Sequence, residues 1–279
     1  MKKLLLILSL AIATLSAYAD SISYKTICDV PYLETAGDDY QNERCKLDIY
    51  FPENLTDFPT IVFLHGGGLR SGQKFVPRLF KEKGMAVVAP NYRLFPQAKA
   101  PDYIEDAADA VAWTFKHIAE YGGNPEKIYV CGHSAGGYLT LMLALATDYL
   151  QKRGIDADSI KGFVSFSGQT CTHFTILKEY GVDDQIPLID DYAPLKNVRK
   201  LGTQLLLLSG DREMEMLSRY TENLHLQEIL NAKGNDVKMY ELKGFNHQTM
   251  LSPSCLLLIQ MILTDEKKAG KAVNMSYLF

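Results

Sequence analysis

The sequence predicts an α/β domain in which one mostly parallel β-sheet carries helices on its faces. Three observations lead there. Short β-rich runs alternate with longer amphipathic or apolar segments along the chain, the order expected of parallel strands joined by crossover helices. Two runs, Ile61-Val62-Phe63-Leu64 and Leu205-Leu206-Leu207-Leu208, are uninterrupted in apolar character, which suits central strands covered on both faces. Once an N-terminal leader is set aside, the remaining ~260 residues suffice for a single large domain with a full core.

Taken in order, residues 1–19 read as an export signal. Lys2 and Lys3 supply a positive start, Leu4 to Leu15 an apolar stretch, and Ala17-Tyr18-Ala19 a small-residue cleavage site before Asp20. The stretch is short for a bilayer span, no stop-transfer pattern follows it, and no Cys stands at the cleavage point. The expectation is a secreted or periplasmic protein with no membrane insertion after cleavage, residues 20–279 forming one domain. Eight candidate strands follow, at 22–30, 45–51, 60–64, 86–90, 128–131, 162–166, 204–209 and 237–242. Between them, 103–121 places Ala107, Ala108, Val111, Ala112, Phe115 and Ile118 at helical spacing, and 136–150 is almost wholly apolar, as a helix under a sheet would be. Further helices are expected at 218–233 and 253–264. Residues 168–202 lack periodicity and contain Gly, Asp and Pro, and a loop of that length in a compact domain suggests a small cap or lid. The tail 265–279 receives no role.

Composition narrows the function classes. With 47% hydrophobic and 22% charged residues the chain is of ordinary globular type, and its net charge of −4 offers no basic footprint for nucleic acid. The five cysteines stand at 28, 45, 131, 171 and 255, so an exported protein keeps at least one unpaired thiol. Cys131, after an apolar run, is expected as a buried thiol, and Cys28 and Cys45 are candidates for a bridge between two N-terminal strands. No C-x-x-C pair exists, which excludes metal-ribbon and dithiol chemistry.

The chemistry is carried by four segments. Gly132-His133-Ser134-Ala135-Gly136 is a G-x-S-x-G between a β-run and an apolar helix, the setting a nucleophile elbow requires. A sharp strand-to-helix turn brings backbones close together, so side chains beside the serine would clash, while the turn exposes Oγ beside a helix N-terminus. His65-Gly66-Gly67-Gly68 directly follows the buried run ending at Leu64. It lacks the Gly-Lys-Ser/Thr ending of a phosphate loop, and its bare N–H groups suit a carbonyl oxygen. Gly67 and Gly68, with Ala135, are the candidate oxyanion hole. A general base is expected after the last strand, which selects His247 in Lys243-Gly244-Phe245-Asn246-His247 from the six histidines. The orienting acid is expected after the preceding strand, where Asp211, Glu213 and Glu215 all offer a carboxylate.

With these residues in place, the chain resembles the α/β-hydrolase superfamily, and within it the hormone-sensitive-lipase-like and bacterial carbohydrate-esterase-like carboxylesterases. The resemblance rests on His65–Gly68, Asn91-Tyr92-Arg93-Leu94-Phe95-Pro96, Asp102 through Asp106 with Trp113, Gly132–Gly136, Gly210–Glu213 and Gly244–His247, in the family's order. It implies an α/β-hydrolase fold with an eight-stranded sheet and a Ser–acid–His triad that uses no cofactor and no metal. The family's acid commonly stands three residues after the glycine closing its strand. This selects Glu213, with Asp211 as the alternative because most relatives carry Asp. Leu69 replaces an aromatic residue common in the family, and with Tyr138 and Gln169 it is a candidate pocket residue. The resulting expectation is a serine carboxylesterase acting through an acyl-enzyme on a small-molecule or carbohydrate ester, with O-acetyl or feruloyl polysaccharide esters as the specific guess. The alternatives are an amidase, peptidase or arylformamidase-type serine hydrolase, and a non-catalytic binding protein of the same fold.

Overall fold

In the computed structural model, residues 22–278 are described, and the export signal expected at 1–19 lies outside them. The strands are β1 Tyr24–Pro31, β2 Lys46–Pro52, β3 Phe58–Leu64, β4 Ala86–Pro90, β5 Gly123–His133, β6 Gly162–Phe166, β7 Gln204–Gly210 and β8 Lys238–Leu242. The helices are α1 Asp39–Arg44, α2 Asp102–His117, α3 Ala135–Leu145, α4 Asp148–Gln151, α5 Phe174–Glu179, α6 Arg219–Ala232 and α7 Leu251–Lys268. The strands form one sheet in the order β1-β2-β4-β3-β5-β6-β7-β8. β2 runs antiparallel to both β1 and β4, and the pairs from β4 to β8 are parallel. The architecture is that of the α/β-hydrolase fold.

Strand alternation explains why the apolar runs are continuous. In β3, Val62 and Leu64 join the core cluster under α2, α3 and α6, while Ile61 and Phe63 join the cluster under α7. In β7, Leu205 and Leu207 face the first cluster and Leu208 the second. Both faces are covered along 61–64 and 205–208, which is why those runs carry no polar residue. Helix α3 is buried along all eleven residues, which is why its sequence shows no polar stripe.

Two features depart from expectation. The six-residue helices α1 and α5 span under two turns, too short to display a period. Cys28 and Cys45 remain free thiols, as do the other three cysteines. The β1–β2 register is the reason: Pro31 pairs with Lys46, while Cys28 sits at a bulge between Ile27, opposite Ile49, and Val30, opposite Leu47. Cys45 therefore lies about three residues, or ~10 Å, further along the ladder than Cys28's level, beyond the reach of a disulfide.

Candidate active site

The ends of β5, β6, β7 and β8 bring their following loops together at one edge of the sheet, the usual place for a site in a parallel sheet. Ser134 stands between β5 and α3 with φ 57° and ψ −114°, a conformation that costs a non-glycine residue roughly 1–3 kcal/mol. Packing imposes it. A Cβ on Gly132 would lie 2.4 Å from the Gly136 carbonyl, and one on Gly136 would lie 2.0 Å from the Leu64 carbonyl oxygen. The Ser134 N–H donates to Phe166 O at 2.8 Å, which pins the turn to β6.

His247 closes on the serine from the loop after β8. Its Nε2 lies 2.9 Å from Ser134 Oγ. Asn246 builds the local turn, its Oδ1 accepting from the N–H groups of Gln248 at 3.0 Å and Thr249 at 2.9 Å. The His133 ring, inside the elbow, bonds through Nε2 to the His247 carbonyl at 2.7 Å. Burial, with the nearby His247 charge, lowers the His133 pKa to about 4, so that ring is neutral and donates. Burial likewise lowers His65 to about 4.

The carboxylate beside His247 belongs to Glu215, not to the expected Glu213 or its alternative Asp211. Glu215 Oε2 is 2.8 Å from His247 Nδ1, and its side chain is fully buried. The reason lies in the chain path. After Gly210 a helical turn forms, with the N–H groups of Met214 and Glu215 donating to Asp211 O at 2.8 and 2.9 Å. That turn leaves Glu213 exposed and carries Glu215 back under the histidine, where the longer glutamate side chain completes the reach. Asp211 fastens the two loops instead: its carboxylate accepts from Gly244 N–H at 2.9 Å and Glu213 N–H at 3.1 Å. The sequence signal available was Asp211's own fitness for a turn-capping role, which frees a later carboxylate for the histidine.

Glu215 stays ionised. Burial works against its charge, but hydrogen bonds from His247, Ser167 and the Met216 N–H outweigh it and lower the pKa to about 2. Gly210 N–H adds a further bond at 3.1 Å. A charged carboxylate on Nδ1 holds the tautomer that leaves Nε2 facing the serine.

The glycine loop passes against the elbow, since a Cβ on Gly66 would approach Ser134 Cβ to 3.3 Å. Gly67 and Gly68 have φ of 117° and 63°, and a Cβ on Gly67 would lie 2.0 Å from Ser71 O. The N–H groups of Arg70 and Ser71 donate to Gly67 O, Thr175 Oγ1 donates to Gly68 O, and Tyr92 Oη donates to His65 O at 2.8 Å. Tyr92 stacks on His65 at 4.3 Å, and Arg93 forks onto the buried Asp106 at the start of α2. The Asn91–Arg93 segment thus clamps the loop. Among the described residues, no carbonyl or side chain takes up the N–H of Gly67, Gly68 or Ala135. Ala135 directly follows Ser134, and Gly67 and Gly68 follow Gly66, whose Cβ position approaches Ser134 Cβ to 3.3 Å.

Beside the glycine loop and Glu215's turn lies a cavity of about 630 Å³, walled by Arg70, Phe174, Ile186, Ile189, Met216 and Leu217. Segment 168–202 contributes one wall, with α5 set against Gly68. Of the candidate pocket residues, Gln169 lines this cavity. Leu69 and Tyr138 do not: both are fully buried in the core, and Tyr138 Oη donates to Tyr192 O at 2.7 Å. At φ 58°, Leu69 follows the two left-handed glycines with its side chain turned inward.

Residues 47–222 match the BD-FAE family. Among curated relatives, a probable isoprenylcysteine alpha-carbonyl methylesterase of Arabidopsis thaliana is 34% identical over 194 residues, covering 67% of this chain and 39% of that protein. A kynurenine formamidase of Salmo salar is 30% identical over 194 residues, covering 67% of this chain and 60% of the relative. The chain spans about a quarter to two fifths of the length of the plant methylesterases it matches. A truncated carbohydrate esterase from gut microbiota superposes with TM-score 0.72 at 17% identity, covering 89% of this chain and 98% of that one. Esterase 2 of Thermogutta terrifontis, phosphonylated by sarin, superposes with TM-score 0.68 at 20% identity over 86% of this chain and 94% of its own.

Proposed function

Because the chain belongs to the BD-FAE family, we propose that it is a serine carboxylesterase in which Ser134 is the nucleophile, His247 the general base and Glu215 the orienting acid. The observation that carries this reading is the continuous contact from Glu215 through His247 to Ser134, at 2.8 and 2.9 Å. His247 Nε2 takes the Ser134 proton as Oγ attacks the ester carbonyl, and the N–H groups of Gly67, Gly68 and Ala135 receive the oxyanion. The imidazolium, held by Glu215, then gives its proton to the leaving alcohol. Water repeats the sequence on the acyl-enzyme and releases the acid.

The cavity of about 630 Å³ near the site is lined by apolar side chains such as Phe174 and Ile189 and by polar ones such as Arg70, Arg219 and Glu222, and neither Ser134 nor His247 is among its lining residues. The substrate class proposed is the one expected from sequence, an acetyl or feruloyl ester of a polysaccharide. The export signal read in residues 1–19 fits an extracellular or envelope substrate. A second reading, hydrolysis of an aryl formamide, is favoured by the kynurenine formamidase relative.

The test is turnover of p-nitrophenyl acetate and butyrate, a feruloyl arabinoside, acetylated xylan and an N-formyl aniline by wild type and Ser134→Ala. Ester hydrolysis that is lost in the variant supports the reading, and the faster of the feruloyl and acetyl esters identifies the acyl group. Faster cleavage of the formamide selects the second reading. Undiminished turnover in Ser134→Ala removes both.

A further inference from the structure

Glu215 is the acid of the contact chain, and a glutamate has one more rotatable bond than an aspartate to be held in place. Its two oxygens are occupied differently. Oε2 meets His247 Nδ1 and accepts from Met216 N–H at 2.9 Å. Oε1 accepts from Gly210 N–H at 3.1 Å and from Ser167 Oγ at 2.7 Å. The same Ser167 Oγ lies 3.1 Å from His247 Nδ1. A single hydroxyl therefore touches both members of the pair, donating its hydrogen to the carboxylate while a lone pair faces the imidazole N–H.

Ser167 occupies this position at a conformational cost. It follows β6 with φ 54°, in the left-handed region that a serine rarely adopts. The surroundings enforce that backbone. Ser167 N–H donates to Leu208 O on β7 at 2.7 Å, and the buried Arg219 guanidinium donates to Ser167 O. The next residue, Gly168, has no room for a side chain, because a Cβ there would lie 2.5 Å from the Gly137 carbonyl carbon. Glycine would fit position 167 without strain, so the serine needs a reason beyond the turn itself. Its side chain is spent wholly on Glu215 and His247.

We infer that Ser167 is a positioning residue for the Glu215–His247 pair, fixing the rotation of the glutamate carboxylate so that Oε2 stays on Nδ1 while the imidazole gains and loses its proton. The inference rests on the esterase reading of the same site. With Oε1 held, the carboxylate cannot swing away when His247 tilts between Ser134 and a leaving group. Bonds to an ionised acceptor are the strong ones, and this bond is the only side-chain donor to Oε1 among the described residues.

The test uses Ser167→Gly, which relaxes the backbone and removes only the hydroxyl, with Ser167→Ala alongside. On p-nitrophenyl butyrate, Ser167→Gly should lower kcat about tenfold, equivalent to ~1.4 kcal/mol, and leave KM within about twofold. The downfield NMR signal of the His247 Nδ1 proton should shift or broaden. In a Glu215→Gln background the same change should cost nothing further, because its route of action is gone. Wild-type kcat in Ser167→Gly, with Ser134→Ala inactive, overturns the inference and leaves the esterase reading standing. A full loss on top of Glu215→Gln also overturns it, since Ser167 would then act independently of the carboxylate. A loss seen in Ser167→Ala but not in Ser167→Gly assigns the effect to backbone strain and overturns it too. Activity retained in Ser134→Ala sinks the reading and the inference together.

Discussion

Glu215→Gln is the perturbation that bears hardest on the site's electrostatics. It removes one negative charge while keeping nearly the same shape, and it does so at a fully buried side chain 2.8 Å from His247 Nδ1. At an effective dielectric of about 20, a unit charge at that distance stabilises an imidazolium by about 6 kcal/mol. At ~1.36 kcal/mol per decade this corresponds to a fall in kcat of about 10⁴-fold, the order expected when a triad acid becomes an amide. The amide has a second effect, since its NH₂ would meet the donors now facing the carboxylate, among them Ser167 Oγ and the Gly210 N–H. The assay is steady-state hydrolysis of p-nitrophenyl butyrate, with thermal melts to establish that the variant folds. KM should change little, because no substrate contact is removed. Glu213→Gln is the internal control: Glu213 is exposed and its loss should move kcat by less than about twofold. The reasoning is refuted if Glu213→Gln carries the large loss while Glu215→Gln, folded, retains activity.

Three further outcomes follow from the same geometry. Gly67→Ala places a Cβ 2.0 Å from Ser71 O at a φ of 117°, so the loop must move; kcat should fall about 10²–10³-fold with a smaller effect on KM, measured on the same ester. Folding stability should decline as pH falls from the ordinary carboxylate value of 4.5 towards about 2, because Glu215 has a lower pKa folded than unfolded and its contribution is complete only above 4.5. Allowing for solvent screening, that contribution is about 2 kcal/mol, and urea titrations between pH 6 and pH 2.5 should show it in wild type and not in Glu215→Gln. Cys28 is exposed while the other four thiols are buried, so Ellman's reagent should titrate one thiol in the native protein and five in denaturant; fewer than five in denaturant would indicate a disulfide.

Much of the fold was legible because its signals are local. Continuous apolar runs at 61–64 and 205–208 mark strands whose faces are both covered, and the eight candidate strands correspond to the eight that form. Ser134 and His247 were selected by spacing and chain order, and the structure brings their side chains within hydrogen-bonding distance. The acid was not legible in the same way. Asp211, Glu213 and Glu215 lie within five residues of Gly210, and the choice among them depends on a turn that the sequence does not display. The resemblance favoured Glu213 by its offset from the glycine, an offset suited to a shorter acid. Ser167 was invisible for a related reason: a serine at the end of a strand is unremarkable until its φ and its two partners are seen. Leu69 and Tyr138 show the converse. Each stands next to or within a functional segment, yet the close-packed turns around them point their side chains into the core.

The central claim, that Ser134 is an activated nucleophile, is tested most directly by mapping a covalent adduct. The protein is incubated with a fluorophosphonate and digested, and the modified peptide is sequenced by mass spectrometry. The account predicts one adduct, on Ser134, formed rapidly in wild type and at a rate reduced by orders of magnitude in His247→Ala and Glu215→Gln. An unlabelled Ser134 in active protein, or an adduct on another residue that tracks loss of activity, would contradict it.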